Sequence, residues 1–251
     1  SNIKGIFGLH ASFTLDDETL QRVADYVKEH DCGIHIHLCE DESDRTVSLQ
    51  KYGDTPVKRL AKFGLLNKKS ILAHCIHLDD EDRKIIAESG AAVVYNFDSN
   101  LNNQVGLPRL AELPLSVPVV CGTDGMHAKP HATFRNLFLF ARHQGMSFAD
   151  AIALVKKCYF DQITFAKHYF HDFPTLQHGS RADFIVWDYI PPTPMDQNSF
   201  WGHYLYGVLE RSIHTVIQNG ELLMDHSRIQ FPQDIYFNSI AAQGARLKQS
   251  F

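Results

Sequence analysis

Gly33-Ile34-His35-Ile36-His37-Leu38-Cys39-Glu40 decides the fold: an apolar run with histidines at alternate positions, closed by an acid. The same event recurs in Ser70-Ile71-Leu72-Ala73-His74 and in Val117-Pro118-Val119-Val120-Cys121-Gly122-Thr123-Asp124, where a short apolar run again stops near a polar side chain. Such runs, separated by helical patterns, read as buried strands of a parallel sheet, as does Ala91-Ala92-Val93-Val94-Tyr95. In a parallel barrel, chemistry gathers at the carboxyl ends of the strands, so His37, Glu40, His74 and Asp124 can meet around one substrate. This is the layout of a metal-dependent hydrolase.

Spacing explains the roles. Side chains alternate along a strand, so His35 and His37 share a face, while Glu40 falls on the loop just past the strand end. Imidazole and carboxylate suit zinc or iron(II), and three protein ligands with an open position mark a catalytic site. Gly122 and Gly125 let the backbone bend around Asp124, so its carboxylate can reach both a metal and the water that the metal activates.

Six motifs, in order along the chain, carry a family resemblance. They are Gly8-Leu9-His10-Ala11-Ser12-Phe13-Thr14, His37-x-x-Glu40, Ala73-His74-Cys75, Ser99-Asn100, Gly122-Thr123-Asp124-Gly125, and the run from Gly179 through Ala182-Asp183-Phe184-Ile185-Val186-Trp187-Asp188. Together they resemble the amidohydrolase superfamily, in the branch of adenosine, S-adenosylhomocysteine and guanine deaminases and triazine chlorohydrolases. Ser99 to Gly106 and Pro192-Thr193-Pro194 are most similar to bacterial aminohydrolases associated with selenium metabolism.

The resemblance implies that His37 and Asp124 are metal ligands for one zinc or iron ion. It makes Glu40 the proton donor to a ring nitrogen and His74 the group that orients the attacking hydroxide, while His10, Ser99 and Asn100 bind or shape the substrate. The sequence departs where the family usually has His-Asn-Pro before Ser-Asn, reading Tyr95-Asn96-Phe97-Asp98 instead. Such barrels also take two histidines from a His-x-His on the first strand, and the only His-x-His here is His35-Ile36-His37. At roughly 30 residues per βα step, the interval from His35 to Asp124 holds about three steps, which makes these strands five to eight. The expectation is an α/β chain forming the second half of a TIM-like (β/α)8 hydrolase barrel with the first-strand ligands missing. Two strand edges should then be unpaired, near Gly5 to His10 and near Val117 to Cys121, inviting a homo-oligomer.

With 251 residues, 44% of them hydrophobic, the chain can bury a sizeable core, and a net charge of −5 offers no basic surface for nucleic acid. No apolar run is long enough for a membrane span, and five cysteines without a Cys-x-x-Cys pair fit a reduced, cytoplasmic protein. Cys39, Cys75 and Cys121, beside the site, read as packing residues. Ser1-Asn2 reads as a remnant of cloning.

Helix signals lie at Asp54-Thr55-Pro56 (to Phe63), at Asp79 (to Ser89-Gly90) and at Ser147-x-x-Asp150, before Ala151 to Lys157. A Phe- and Leu-rich segment from Pro130 to Gly145 and a separate helix near Tyr159 to Phe170 follow the last strand. Past Gly179 strands return: Ala182 to Asp188, then two joined by the hairpin turn Asn219-Gly220. The barrel part is assigned to residues 1–178, and part of a small β-sandwich with a tail to residues 179–251.

Each site residue has a plainer reading. A strand histidine is more often a hydrogen-bonded core residue, Glu40 opens an acidic run that alone reads as a solvated loop, and Ser99, Asn100, Asn102 and Asn103 are turn formers. His35 is a packing residue or a support for the ligands, and His127 is a candidate for the pocket wall. Two functions follow: hydrolysis of carbon–nitrogen bonds in a small molecule, as deamination of an aminated heterocycle, or an incomplete half-barrel acting as a scaffold. Dechlorination of a triazine-like ring would use the same attack. A two-metal amidase is disfavoured, because its bridging lysine near strand four is replaced here by His10.

Overall fold

Side-chain caps decide where the helices begin. Asp16 accepts from the Thr19 amide, Thr55 from Lys58 and Ser147 from Asp150, while Asp79 and Asp82 form a reciprocal capping box. These caps open α1 (Asp17–His30), α3 (Pro56–Lys62), α7 (Phe148–Lys167) and α4 (Asp80–Ser89). Gly90, at φ 71°, closes α4 in the left-handed conformation that glycine adopts without strain. The structure, a computed structural model, describes residues 3–248, and Ser1-Asn2 lies outside them.

Five strands, β1 (Phe7–Ala11), β2 (Ile34–Leu38), β3 (Ile71–His74), β4 (Ala92–Tyr95) and β5 (Val119–Cys121), form one parallel sheet in sequential order. Between them run α1, α2 (Glu42–Tyr52) with α3, α4, and the short α5 (Phe97–Asn102), followed after β5 by α6 (Ala132–His143) and α7. The β-α alternation and parallel pairing expected for an α/β chain are therefore present. On β2, Ile34, Ile36 and Leu38 are wholly buried, while His35 and His37 share the opposite, open face. A buried Leu or Ile contributes about 1.5–3 kcal/mol, so the apolar half of that alternation fixes which way the histidines point.

The structure corrects two expectations and one plainer reading. The helix of Ala151 to Lys157 and the one near Tyr159 to Phe170 are a single helix, α7, because nothing between Lys157 and Tyr159 breaks the 3.6-residue pattern. The acidic stretch after Glu40 is not a solvated loop: Asp41 caps α2, and Asp44 in its first turn is 4% exposed. The edge at Val117 to Cys121 is not open. The Val119 and Cys121 amides donate to Asp161 and Gln162 of α7, at 2.8 and 3.1 Å, and Lys157 donates to the Val117 carbonyl at 2.6 Å. Side chains thus take the place of a neighbouring strand there.

The described residues from Pro174 on form a second compact unit. It holds an antiparallel sheet in the order β6 (Phe184–Trp187), β7 (Ile213–Gln218), β8 (Glu221–Asp225), β9 (Arg228–Ile229), together with α8 (Phe200–Tyr206) and α9 (Asp234–Lys248). Asn219 and Gly220, at φ 53° and 79°, make the tight turn between β7 and β8. No helix among the described residues is long and apolar enough to cross a membrane.

Candidate active site

Strand ends carry the site through an unusual backbone feature. Cys39 after β2, His74 and Cys75 at the end of β3, and Asp124 after β5 have φ of 50°, 73°, 51° and 49°. Non-glycine residues in this region cost of order 1 kcal/mol or more and persist where the surroundings over-determine them. The turns aim His37, Glu40, His74 and Asp124 toward one another. Gly122 permits the last of them: a Cβ there would lie 2.3 Å from Asn96 Oδ1 and 2.7 Å from Val94 Cγ1.

His37 Nδ1 donates to the His10 carbonyl at 2.7 Å, which leaves Nε2 bare and facing the site. A backbone carbonyl in that position is what orients imidazole ligands of metals. The His37 and His74 rings lie 5.7 Å apart, and His74 Nε2 is 3.6 Å from Glu40 Oε2. That nitrogen is buried and without a hydrogen-bond partner. Ser99 donates to Asp124 Oδ2 at 2.5 Å; this bond, aided by the nearby His74 and His37, holds the Asp124 carboxyl below its usual range. Burial, with His37 and His74 beside it, lowers His35.

His10, Phe13, His37, Glu40, Asn103 and Asp124 line a cleft of about 290 Å³. The proposed ligands, acid and substrate-contacting histidine are thus drawn to one place. Ser99 and Asn100, 2% and 0% exposed, lie instead on α5 behind Asp124 and His74. Among the described residues, no group of three or more His, Cys, Asp and Glu side chains is close enough to hold a metal ion.

Three groups make contacts that the sequence reading leaves out. Asn103 donates to Ser99 Oγ at 3.3 Å and reaches Glu40 Oε1 at 3.5 Å. Asp98 accepts from His127 Nε2 at 2.7 Å and Asn136 Nδ2 at 2.8 Å, tying the loop after β5 to α5. Asp44, which also borders the cleft, accepts from the Cys39 amide at 2.7 Å and so braces the turn that presents Glu40. A cap at Asp41 followed by helix formers was the one signal available for Asp44.

Burial pushes the Asp44 carboxyl up to about 6 from an ordinary 3.8, with Glu40 and Asp41 adding to the rise. The folded state therefore holds this proton more tightly than the unfolded chain. Its contribution favours folding below pH 3.8 and is lost as pH rises through about 6. The shift corresponds to about 3 kcal/mol. Asp44→Asn, which keeps an acceptor for Cys39, should gain about that much stability relative to wild type between pH 4 and pH 8 in denaturant melts. A constant difference across that range would show that Asp44 carries no such penalty.

The family model for amidohydrolases matches residues 1–223. A protein named 5-methylthioadenosine/S-adenosylhomocysteine deaminase from Caldanaerobacter subterraneus subsp. tengcongensis is 30% identical over 237 residues, covering 91% of this chain and 54% of the relative. A protein of the same name from Desulfitobacterium hafniense is 30% identical over 236 residues, covering 90% and 54%. The chain spans about half the length of these relatives. Among solved structures, a zinc-bound adenosine deaminase from Xanthomonas campestris superposes with a TM-score of 0.80 at 20% identity, covering 98% of this chain and 57% of that one. The zinc complex of atrazine chlorohydrolase TrzN from Arthrobacter aurescens gives 0.67 at 20%, covering 90% and 52%. At these identities the structural likeness is one of fold.

Proposed function

This chain belongs to the amidohydrolase family, and we propose that it is the carboxyl-terminal part of a metal-dependent enzyme that deaminates an aminated heterocycle. One observation carries the reading: His37, Glu40, His74 and Asp124 meet at the carboxyl ends of β2, β3 and β5 of one parallel sheet. The names of the relatives point to an adenine-type ring bearing an exocyclic amine. In this reading the five strands are strands four to eight of a (β/α)8 barrel, and the second unit is part of a β-sandwich. The chain matches 54% of the first of these relatives, which fits a part of a longer barrel enzyme.

The donor set suits one zinc or iron ion: His37 offers a bare Nε2 held by a backbone carbonyl, and Asp124 offers an ionised carboxylate. These two would hold the metal, with further ligands supplied by the longer protein. The bound ion would lower the pKa of a water so that it can attack near neutral pH. Glu40 protonates the ring nitrogen next to the carbon under attack, which draws electrons away from that carbon. His74 Nε2 accepts a hydrogen bond from the attacking water; one proton of that water reaches the ring nitrogen through Glu40, and the Asp124 carboxylate takes the other and gives it to the amine, which leaves as ammonia. Asn103 and Ser99 keep Glu40 and Asp124 at one separation.

Side-by-side metal analysis and ammonia-release assays on the 251-residue chain and the longer protein test the reading, with 5-methylthioadenosine as the first substrate. The longer protein should bind one equivalent of metal and release ammonia; the chain alone should bind metal weakly and be inactive. In the longer protein, His37→Ala and Asp124→Asn should each lower metal content and activity together. Metal and activity unchanged in both variants would sink the ligand assignment, and a fully metallated, active 251-residue chain would show that the site is complete without other segments.

A further inference from the structure

Asn100 and His74 lie 26 positions apart in sequence, and both are wholly buried. Asn100 Oδ1 stands 2.7 Å from His74 Nδ1, a short contact between a side chain on α5 and one at the end of β3. His74 Nε2 and Asn100 Nδ2 are both buried without partners. A core histidine satisfied at both nitrogens would need no further reason; one held at Nδ1 and bare at Nε2, 3.6 Å from Glu40, points its free nitrogen at the site.

We infer that Asn100 is a positioning residue: it accepts from His74 Nδ1–H, fixes that tautomer, and so makes Nε2 a hydrogen-bond acceptor facing Glu40. His37 shows the same device, since the His10 carbonyl can only accept and so forces its Nδ1–H form. The two facing imidazoles then present matching bare Nε2 atoms across 5.7 Å between ring centres. Turning the Asn100 amide over would reverse the polarity. Its Nδ2 would donate to Nδ1, and Nε2 would carry a proton with only Glu40, at 3.6 Å, to receive it. That distance is too long for a good hydrogen bond, so the reversed form leaves Nε2–H without a full partner, just as the first leaves Asn100 Nδ2–H; the 2.7 Å approach of Oδ1 to Nδ1 selects the first. Asn100 thus acts through His74 rather than by touching substrate.

The use made of that acceptor rests on the proposed deaminase reading, whereas the tautomer does not. Two-bond proton–nitrogen correlation spectra of the ¹⁵N-labelled 251-residue chain at about pH 8 should show His74 protonated at Nδ1 and bare at Nε2. Asn100→Leu, close in volume but without an acceptor, should lose that form in favour of Nε2–H or a mixture. Asn100→Asp, which keeps an oxygen at the same place, should retain a proton on Nδ1. An Nε2–H signal in the wild-type chain, or an unchanged tautomer in Asn100→Leu, overturns the inference. If the Leu variant does not fold, the wild-type and Asp spectra still decide. In the longer protein, Asn100→Leu should lower kcat at least about tenfold with KM changed little, and Asn100→Asp should restore part of it. Absence of deamination by the longer wild-type protein would overturn the function and leave the spectroscopic result standing.

Discussion

Glu40→Gln is expected to lower deamination by the longer protein by about 10²–10⁴-fold while leaving its metal content intact. Glutamine has nearly the same shape and can still meet Asn103, which lies 3.5 Å from Glu40 Oε1, but it has no proton to give to a ring nitrogen. The position also explains why binding should survive: Glu40 sits past the end of β2 with its carboxylate 3.6 Å from His74 Nε2, while the proposed ligands are His37 and Asp124. Ammonia release and metal analysis on the same preparation separate the two effects. Turnover within a few-fold of wild type would remove Glu40 from the chemistry, and loss of metal would make it a ligand instead of an acid.

Gly33→Ala should give the largest loss of stability, on the order of 4 kcal/mol. A Cβ at Gly33 would lie 2.0 Å from the Lys69 carbonyl oxygen, 2.2 Å from its carbon and 2.5 Å from the Ser70 amide nitrogen. All three are backbone atoms, so no side chain can swing aside. Relief would have to pull the start of β2 away from the start of β3, and with it the bond from the Ile34 amide to Ser70 Oγ at 3.2 Å and the one from the Phe7 amide to the Gly33 carbonyl at 3.1 Å. Gly8→Ala is the control, because a Cβ there meets nothing within 4 Å. Urea melts of the 251-residue chain should show a large drop in midpoint for Gly33→Ala and a change within about 0.5 kcal/mol for Gly8→Ala. Similar midpoints for the two would mean that the sheet yields at Gly33 far more readily than its packing implies.

These two positions differ in how visible they are before folding. Glu40 can be singled out from its spacing to His37, since strand alternation and the loop after it are local matters. The demand on Gly33 comes from Lys69, which is brought to it only when β2 and β3 pair.

Local order accounts for most of the architecture that could be read in advance. Apolar runs of four to six residues, capping side chains at Asp79, Thr55 and Ser147, and the Asn219-Gly220 turn each act within a few residues, and each places an element where the structure has one. The same locality puts His37, His74 and Asp124 at strand ends. The helices α1 and α2 lie outside the signals read from the sequence, although Leu20, Val23 and Val27 make a buried stripe on α1, and the acidic run at the start of α2 alone reads as solvated loop.

What only the tertiary structure decided are the partners of those side chains. The Asn100 acceptor for His74, the Ser99 hydroxyl on Asp124, the His10 carbonyl on His37 and the α7 side chains over the β5 edge join residues 25 to 42 positions apart. No pattern of period two or 3.6 encodes such pairings, because they depend on how strands register and where helix ends fall in space. The sequence by itself therefore determined which side chains stand at the ends of parallel strands, through periodicity and capping. Folding decided which nitrogen of each histidine is bare and how Asp44 is buried, through hydrogen bonds and desolvation that exist only once distant segments are in contact.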